Sequence, residues 1–189
     1  MSDRIGTIDE VDQVLESLVL SFSPSLLPLR QRWRNNGLSA DFLGDYVTTF
    51  FPSPEDDSDT LARQSQAKGA VSYIANELLE NAMKYTDSKS DHPITITLNL
   101  EAARITFQAS NPISADAQAR YAAFAQELSK GDPMDIYMRI LENGPGEEGG
   151  SGLGLVTMIN DYEGRLCWSF ETDPATGDTL ATTWVQIPV

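Results

Sequence analysis

The sequence has a single cysteine, a single histidine and few basic residues, and each scarcity excludes a class of protein. Cys167 alone cannot close a disulfide within the chain, which is typical of a reducing compartment. Only 13 Lys and Arg residues stand against 28 Asp and Glu, so the formal net charge is −15. Because nucleic-acid phosphates repel an acidic chain, we expect no nucleic-acid partner.

Long hydrophobic runs are also missing. No apolar stretch approaches the ~18 consecutive residues that a membrane-spanning helix requires, so we expect no membrane partner. The first residues, Met1-Ser2-Asp3-Arg4, lack the basic and apolar character of a signal peptide. The sequence therefore predicts a cytoplasmic protein.

The spacing of apolar residues predicts the elements of the fold. Helical spacing predicts helices over residues 8–21, 39–47, 60–86, 115–141 (in two pieces) and 155–162. Alternating apolar residues predict two hairpins, one over 94–109 and one over 166–187. Helices that bracket two hairpins indicate a two-layer α/β (α+β) sandwich, with a mixed sheet covered on one face by helices. The acidic stretch before residue 60 predicts a boundary, with a helical extension and linker over 1–59 and the main domain over 60–189.

A polar stripe on the third of these helices is the most informative feature. Glu77, Asn81 and Lys84 fall on one face at helical spacing, and apolar residues cover the other face. A carboxylate can activate a nucleophile, an amide oxygen suits Mg²⁺, and an ammonium can hold phosphate or pair with Glu80. Tyr85 can stack on a base or form the edge of the core.

A glycine-rich motif lies downstream at residues 149–155. Gly150, Gly152 and Gly154 allow positive φ and close approach of the backbone. A helix that begins near Leu153 would direct free N–H groups towards an anion, although glycine clusters also mark surface loops. The motif lacks the Gly-Lys-Ser or Gly-Lys-Thr of a Walker loop, and it does not follow a predicted strand as a dinucleotide motif would.

Together, the two motifs resemble the GHKL (histidine-kinase-like) ATPase superfamily over residues 66–189. The stretch Glu77-Leu78-Leu79-Glu80-Asn81 is similar to its N box, and Gly150-Ser151-Gly152-Leu153-Gly154 is similar to its second glycine box. The order of helix, hairpin, lid, glycine box, helix and final hairpin also matches. The resemblance implies a Bergerat-type ATP-binding fold with ATP and Mg²⁺ as ligands.

The resemblance also implies a role for each matched residue. Glu77 corresponds to the general base and Asn81 to the Mg²⁺ ligand. Lys84 corresponds to a basic residue that contacts phosphate, and Tyr85 to an aromatic residue against adenine. The residues implied to lie around the phosphates are Gly150, Gly152, Leu153 and Gly154.

The chain departs from the family pattern at the first glycine box. Asn111 stands where the family has an aspartate that accepts a hydrogen bond from the adenine amino group, and Pro112 follows it. An amide oxygen can still accept that bond but lacks the charge that strengthens it. The stretch 142–146 looks similar to the missing first glycine box. Because it directly precedes the second glycine box, we interpret it as part of a lid.

Among members of the superfamily, the chain is most similar to stand-alone anti-sigma-factor and partner-switching serine/threonine kinases. His92, the single histidine, precedes Pro93 in a predicted loop, which does not suit autophosphorylation of the histidine-kinase type. The resemblance implies phosphorylation of a small antagonist or regulator protein, and a homodimer is possible. The alternatives are a non-catalytic module that sequesters a regulatory partner, favoured by Asn111, and a simple ATP hydrolase.

Overall fold

The computed structural model describes residues 4–11, 13–23, 29–50, 58–143 and 152–189. Its elements, in chain order, are β1 (Ile5–Gly6), β2 (Glu16–Phe22), α1 (Leu29–Thr48), α2 (Ser58–Tyr85), β3 (Ile94–Leu100), β4 (Arg104–Pro112), α3 (Ala115–Lys130), α4 (Pro133–Asn143), α5 (Leu153–Tyr162), β5 (Arg165–Thr172) and β6 (Thr179–Pro188). None of these helices is long and apolar enough to cross a membrane.

The strands form one six-stranded sheet in the order β1-β5-β6-β4-β3-β2. All neighbouring pairs of described strands are antiparallel, whereas the sequence analysis predicted a mixed sheet. The helices pack on this sheet, so the predicted two-layer sandwich is confirmed. The two predicted hairpins are present as β3–β4 and β5–β6, and the predicted order of elements from α2 to β6 is observed.

The helix predicted over residues 8–21 is wrong. Strand β2 occupies Glu16–Phe22 and pairs with β3, so that Leu18 lies opposite Leu98 and Leu20 opposite Ile96. Strand β1 pairs with β5 at the other end of the sheet. Residues at both ends of the sheet therefore come from the stretch that was expected to be a helical extension, while the boundary at residue 59 stays a prediction.

The core lies between the sheet and the helices. Alternate residues of β3 and β4 are buried on the helix-covered face, among them Ile96, Leu98 and Phe107. Helix α2 packs over them with Val71, Ile74, Ala75, Leu78 and Leu79, each at most 1% exposed. Helix α1 packs beside α2, and a side chain at Gly44 would overlap Ser72 of α2. Small residues at this contact let the two helices approach closely.

The opposite face of the sheet is crossed by the segment after β1. The Asp9 carboxylate accepts hydrogen bonds from Arg104 of β4, at 2.9 Å, and from Arg165 of β5. The Asp9 backbone N–H donates to Gln186 of β6 at 3.0 Å. Gln186 in turn donates to Thr106, which donates to the buried carboxylate of Glu101. Residues 7–10 thus form a strap, fastened to three strands by polar contacts.

Candidate nucleotide site

Helix α2 presents the predicted polar residues from a single continuous helix. Glu77, Asn81, Lys84 and Tyr85 all lie within Ser58–Tyr85, and each is partly buried. Between them, Leu78, Leu79 and Ala82 are buried in the core. The apolar face anchors the helix, and the polar residues lie along the boundary between the core and solvent, as the sequence analysis predicted.

The structure brings Glu77 and Gly154 together. A β-carbon at Gly154, in the first turn of α5, would overlap the Glu77 carboxylate, so only glycine permits this approach. Farther along the same two helices, the rings of Tyr73 and Tyr162 stack with centroids 5.4 Å apart. These contacts require α2 and α5 to run antiparallel, because Glu77 meets the beginning of α5 while Tyr73 meets its end. The two motifs recognised in the sequence are therefore adjacent in space.

The Glu77 carboxyl occupies an environment that disfavours its charge. Partial burial raises the pKa of Glu77, and the nearby carboxylate of Glu80 adds to the rise. Glu80 is itself held by a hydrogen bond from the Asn76 amide at 2.9 Å. A carboxylate that holds its proton more readily than usual is better matched to proton transfer near neutral pH.

Gly152 begins α5 in a conformation that requires glycine. Its φ is 66°, in the left-handed region, and a β-carbon there would overlap the ring of Phe124 in α3. As the N-cap it supplies no side-chain hydrogen bond to the first turn of the helix. Leu153 follows as the first helical residue. The predicted helix start is thus confirmed, while Gly150 and residues 144–146 of the predicted lid lie outside the described residues. The first two residues of that stretch, 142 and 143, end α4.

Asn81 lies one turn beyond Glu77. Its side chain is partly buried, and its amide oxygen is a hard ligand of the kind that Mg²⁺ accepts. In the parts of the chain that the structure describes, no cluster of three or more His, Cys, Asp or Glu side chains could hold a metal ion. The described residues therefore fit Mg²⁺ only as the resemblance implies, with the Asn81 oxygen as one ligand and phosphate oxygens of the nucleotide as further ligands.

The end of α2 is joined to the end of β4. Thr86 forms an isolated antiparallel bridge with Ile113, and the Asp87 N–H donates to the Pro112 carbonyl at 2.9 Å. Asn111 lies on the helix-covered face next to this join and is 6% exposed. Its Nδ2 donates to the Pro112 carbonyl at 3.1 Å. The residue predicted to recognise adenine is therefore held at the same end of the sheet as Lys84 and Tyr85.

Tyr85 belongs to an aromatic cluster that the sequence analysis did not foresee. Its ring stacks on Tyr121 of α3 at 5.8 Å, and the Lys84 ammonium lies 5.4 Å from the Tyr85 ring centroid. The Tyr121 hydroxyl shares a hydrogen bond with Thr183 and accepts one from the Trp168 indole at 3.2 Å. Trp168 of β5 lies opposite Thr183 of β6, but nothing local to residue 121 in the sequence indicates that Tyr121 reaches them.

The chain matches no protein-family model and no curated protein sequence.

Proposed function

We propose that this protein is a Mg²⁺-ATP-binding regulatory protein of the GHKL type that transfers phosphate to a serine or threonine of a small antagonist protein. The observation that supports this most directly is the contact between Glu77 and Gly154. It joins the two sequence motifs that the proposal requires in one site, although they are 77 residues apart in the chain.

In this proposal the residues of the chain divide the work of phosphoryl transfer. Asn81 would hold Mg²⁺, and Lys84 would contact the phosphates. Glu77 accepts the proton of the attacking hydroxyl, for which its raised pKa is suited. The metal, when bound, would offset negative charge on the transferred phosphoryl group. Catalysis of phosphoryl transfer depends mainly on positioning and on such charge compensation.

The decisive experiment is calorimetric titration of the protein with Mg²⁺-ATP. We expect binding by the wild type, loss of binding in Asn81→Ala, and retention in Asn76→Ala. Asn76 is a suitable control because it is another partly buried asparagine of α2, and its amide is already hydrogen-bonded to Glu80. Failure of the wild type to bind either ATP or GTP would contradict the proposal.

Catalysis requires a second test. Glu77→Gln should retain nucleotide, because the amide keeps the size of the side chain, but it should lose transfer of phosphate to the partner. A simple ATP hydrolase would instead turn over Mg²⁺-ATP without a protein acceptor. Equal transfer by wild type and Glu77→Gln would remove Glu77 from the mechanism.

A second candidate function is a non-catalytic module that sequesters a regulator. The observation that favours it is the engagement of Asn111, whose Nδ2 is bonded to Pro112 and which has no charge to strengthen a bond to adenine. The stacking of Tyr85 on Tyr121 points the same way, since it commits one face of the ring to the fold. Partner binding that is unaffected by both Asn81→Ala and Glu77→Gln would select this function.

A further inference from the structure

Strand β2 is the last strand of the sheet, and no other described strand covers its outer edge. Among the described strands it pairs only with β3, so its outer N–H and C=O groups face away from the sheet. Natural proteins usually protect such an edge with a lysine, a proline or a bulge, and β2 contains none of these. Its one charged residue, Glu16, lies at the first position. This edge is therefore suited to pairing with another strand.

The sequence of β2 is symmetric about its central residue. Residues 17–21 read Ser-Leu-Val-Leu-Ser, with Val19 at the centre. If two copies paired antiparallel about a two-fold axis at Val19, Leu18 would lie opposite Leu20 and Ser17 opposite Ser21. In an antiparallel ladder a residue can lie opposite its own copy in a hydrogen-bonded or in a non-hydrogen-bonded pair, so a two-fold axis at Val19 is possible in both cases. The strand thus matches itself, side chain by side chain.

The burial of β2 fits the same arrangement. Leu18, Leu20 and Phe22 face the helices but are only partly buried, whereas their neighbours in β3 are fully buried. Val19, on the opposite face, is 58% exposed. A second copy at this edge would cover the flank of Leu18 and Leu20 with its own Leu20 and Leu18. The core would then continue across the junction.

Helix α1 presents an apolar stripe beside this edge. Leu38 and Phe42 of α1 are 61% and 50% exposed, and Phe50, in the turn after the helix, is 42% exposed. Tyr46 contacts both Phe42 and Phe50. Desolvation and the nearby Glu16 carboxylate of β2 raise the pKa of Tyr46, and the stripe therefore lies next to β2. A two-fold axis perpendicular to the sheet keeps both helix layers on one side. The stripes of two copies would therefore face each other across the axis.

The small charge of this edge permits a second copy to bind there. Each chain carries a net charge of −15, so two copies attract only through a surface with little charge of its own. In the symmetric register Glu16 lies opposite Phe22, and the two Glu16 side chains are separated by about six residues of strand, roughly 20 Å. That distance exceeds the screening length of roughly 8 Å at physiological ionic strength.

We propose that the protein self-associates through antiparallel pairing of β2 with β2 about Val19, with the α1 stripes packed across the axis, to give one continuous twelve-stranded sheet. This association does not depend on nucleotide. Because the net charges repel while the interface is nearly neutral, added salt should strengthen it.

The test is sedimentation equilibrium of the full chain over a range of protein and salt concentrations. The wild type should form a dimer, and Val19→Lys should weaken it by about tenfold or more, because the two lysines would lie directly opposite each other. Val19→Glu should weaken the dimer to a similar extent. An equimolar mixture of the two variants should restore the dimer, since opposite charges then meet at the axis. The mixed pair carries the same total charge as two wild-type chains.

Two controls separate this interface from general effects. Met138→Lys adds the same charge at an exposed apolar residue of α4 and should leave the dimer intact. Val19→Cys, in a Cys167→Ser background, should form an intermolecular disulfide under mild oxidation, because opposite Cα atoms in such a ladder lie at bridging distance. A monomeric wild type, a dimer that Val19→Lys leaves unchanged, or a mixture that fails to re-form the dimer would overturn the proposal.

Discussion

The Glu77 carboxylate lies against the backbone of Gly154, at a position where any β-carbon would displace it. This single contact relates the polar stripe of α2 to the first turn of α5. It also makes the ionisation of Glu77 sensitive to the packing of the two helices, because the same approach removes the carboxyl from water. The consequences can be measured through stability, activity and pH.

The raised pKa of Glu77 predicts a pH-dependent gain in stability for Glu77→Gln. Since the folded protein binds this proton more readily than the unfolded chain, the ionised carboxylate reduces stability as the pH rises through the raised pKa. We expect Glu77→Gln to unfold at higher urea concentration than the wild type at pH 7. Below the ordinary pKa of a glutamate the two should become equal. A difference that does not change with pH would show that packing, and not charge, is responsible.

The same pKa predicts the pH profile of catalysis if the protein transfers phosphate. A general base must be deprotonated, so a raised pKa moves the acidic limb of the rate profile to higher pH. We expect Glu80→Gln to move that limb back towards lower pH, because it removes the carboxylate that adds to the rise. The measurement is the pH dependence of kcat/KM. An unchanged limb in Glu80→Gln would contradict this assignment.

Substitutions of three glycines by alanine should have three different effects. Gly152→Ala should destabilise the fold by about 1–3 kcal/mol, because it combines a positive φ with overlap of the Phe124 ring. Gly154→Ala should cost little stability, since the flexible Glu77 side chain can move, but it should impair any reaction that uses Glu77. Gly69→Ala, in the interior of α2 with no atom near the added carbon, should stabilise by about 0.5–1 kcal/mol. Urea unfolding compares the three.

Tyr121→Phe should destabilise the protein by about 1–3 kcal/mol, because it leaves the Trp168 indole N–H and the Thr183 hydroxyl without their partner. Phenylalanine keeps the ring, so the stack on Tyr85 should remain. The change should appear in thermal unfolding and in the near-ultraviolet circular dichroism of Trp168. Tyr137→Phe, in the neighbouring helix α4, is the matched control and should be nearly neutral. Equal effects of the two substitutions would show that the Tyr121 hydroxyl contributes nothing specific.

Asn111→Asp tests the departure from the family pattern. If adenine binds beside Asn111, a carboxylate would accept a stronger hydrogen bond from its amino group and should improve the preference for ATP over GTP by about tenfold. The substitution also loses the bond from Nδ2 to Pro112, so we expect lower thermal stability in the absence of ligand. Calorimetry with both nucleotides measures the preference. An unchanged ratio would place adenine recognition elsewhere.

Local patterns in the sequence were sufficient for the elements that pack on near neighbours. The apolar face of α2, the β3–β4 and β5–β6 hairpins and the break between α3 and α4 at Gly131-Asp132-Pro133 were all predicted and are present. That Glu77 and the glycine motif lie together was implied by the resemblance to the GHKL superfamily, because local spacing alone cannot bring two distant motifs into contact.

The errors arose where distant pairing decides the structure. Ile8, Val11, Leu15 and Leu18 happen to fit a helical period, and the alternation of β2 becomes meaningful only beside β3, some 78 residues later. The antiparallel pairing of β4 with β6, which joins the two hairpins, was equally invisible in the sequence, and a mixed sheet was predicted. Tyr121 illustrates the same limit for side chains, because its partners Trp168 and Thr183 lie 47 and 62 residues away.

The strap also bears on how the chain folds. Its bond from Asp9 to Gln186 joins residues separated by 177 positions, and β1 can take its place only after β5 exists. Contacts of such long range carry a large loop-closure cost and slow the search for the native state. On the ribosome, β1 must therefore remain unpaired until β5 has been synthesised. During this interval the backbone groups of β1 lack their partner in β5, and the nascent protein would be most prone to mispairing.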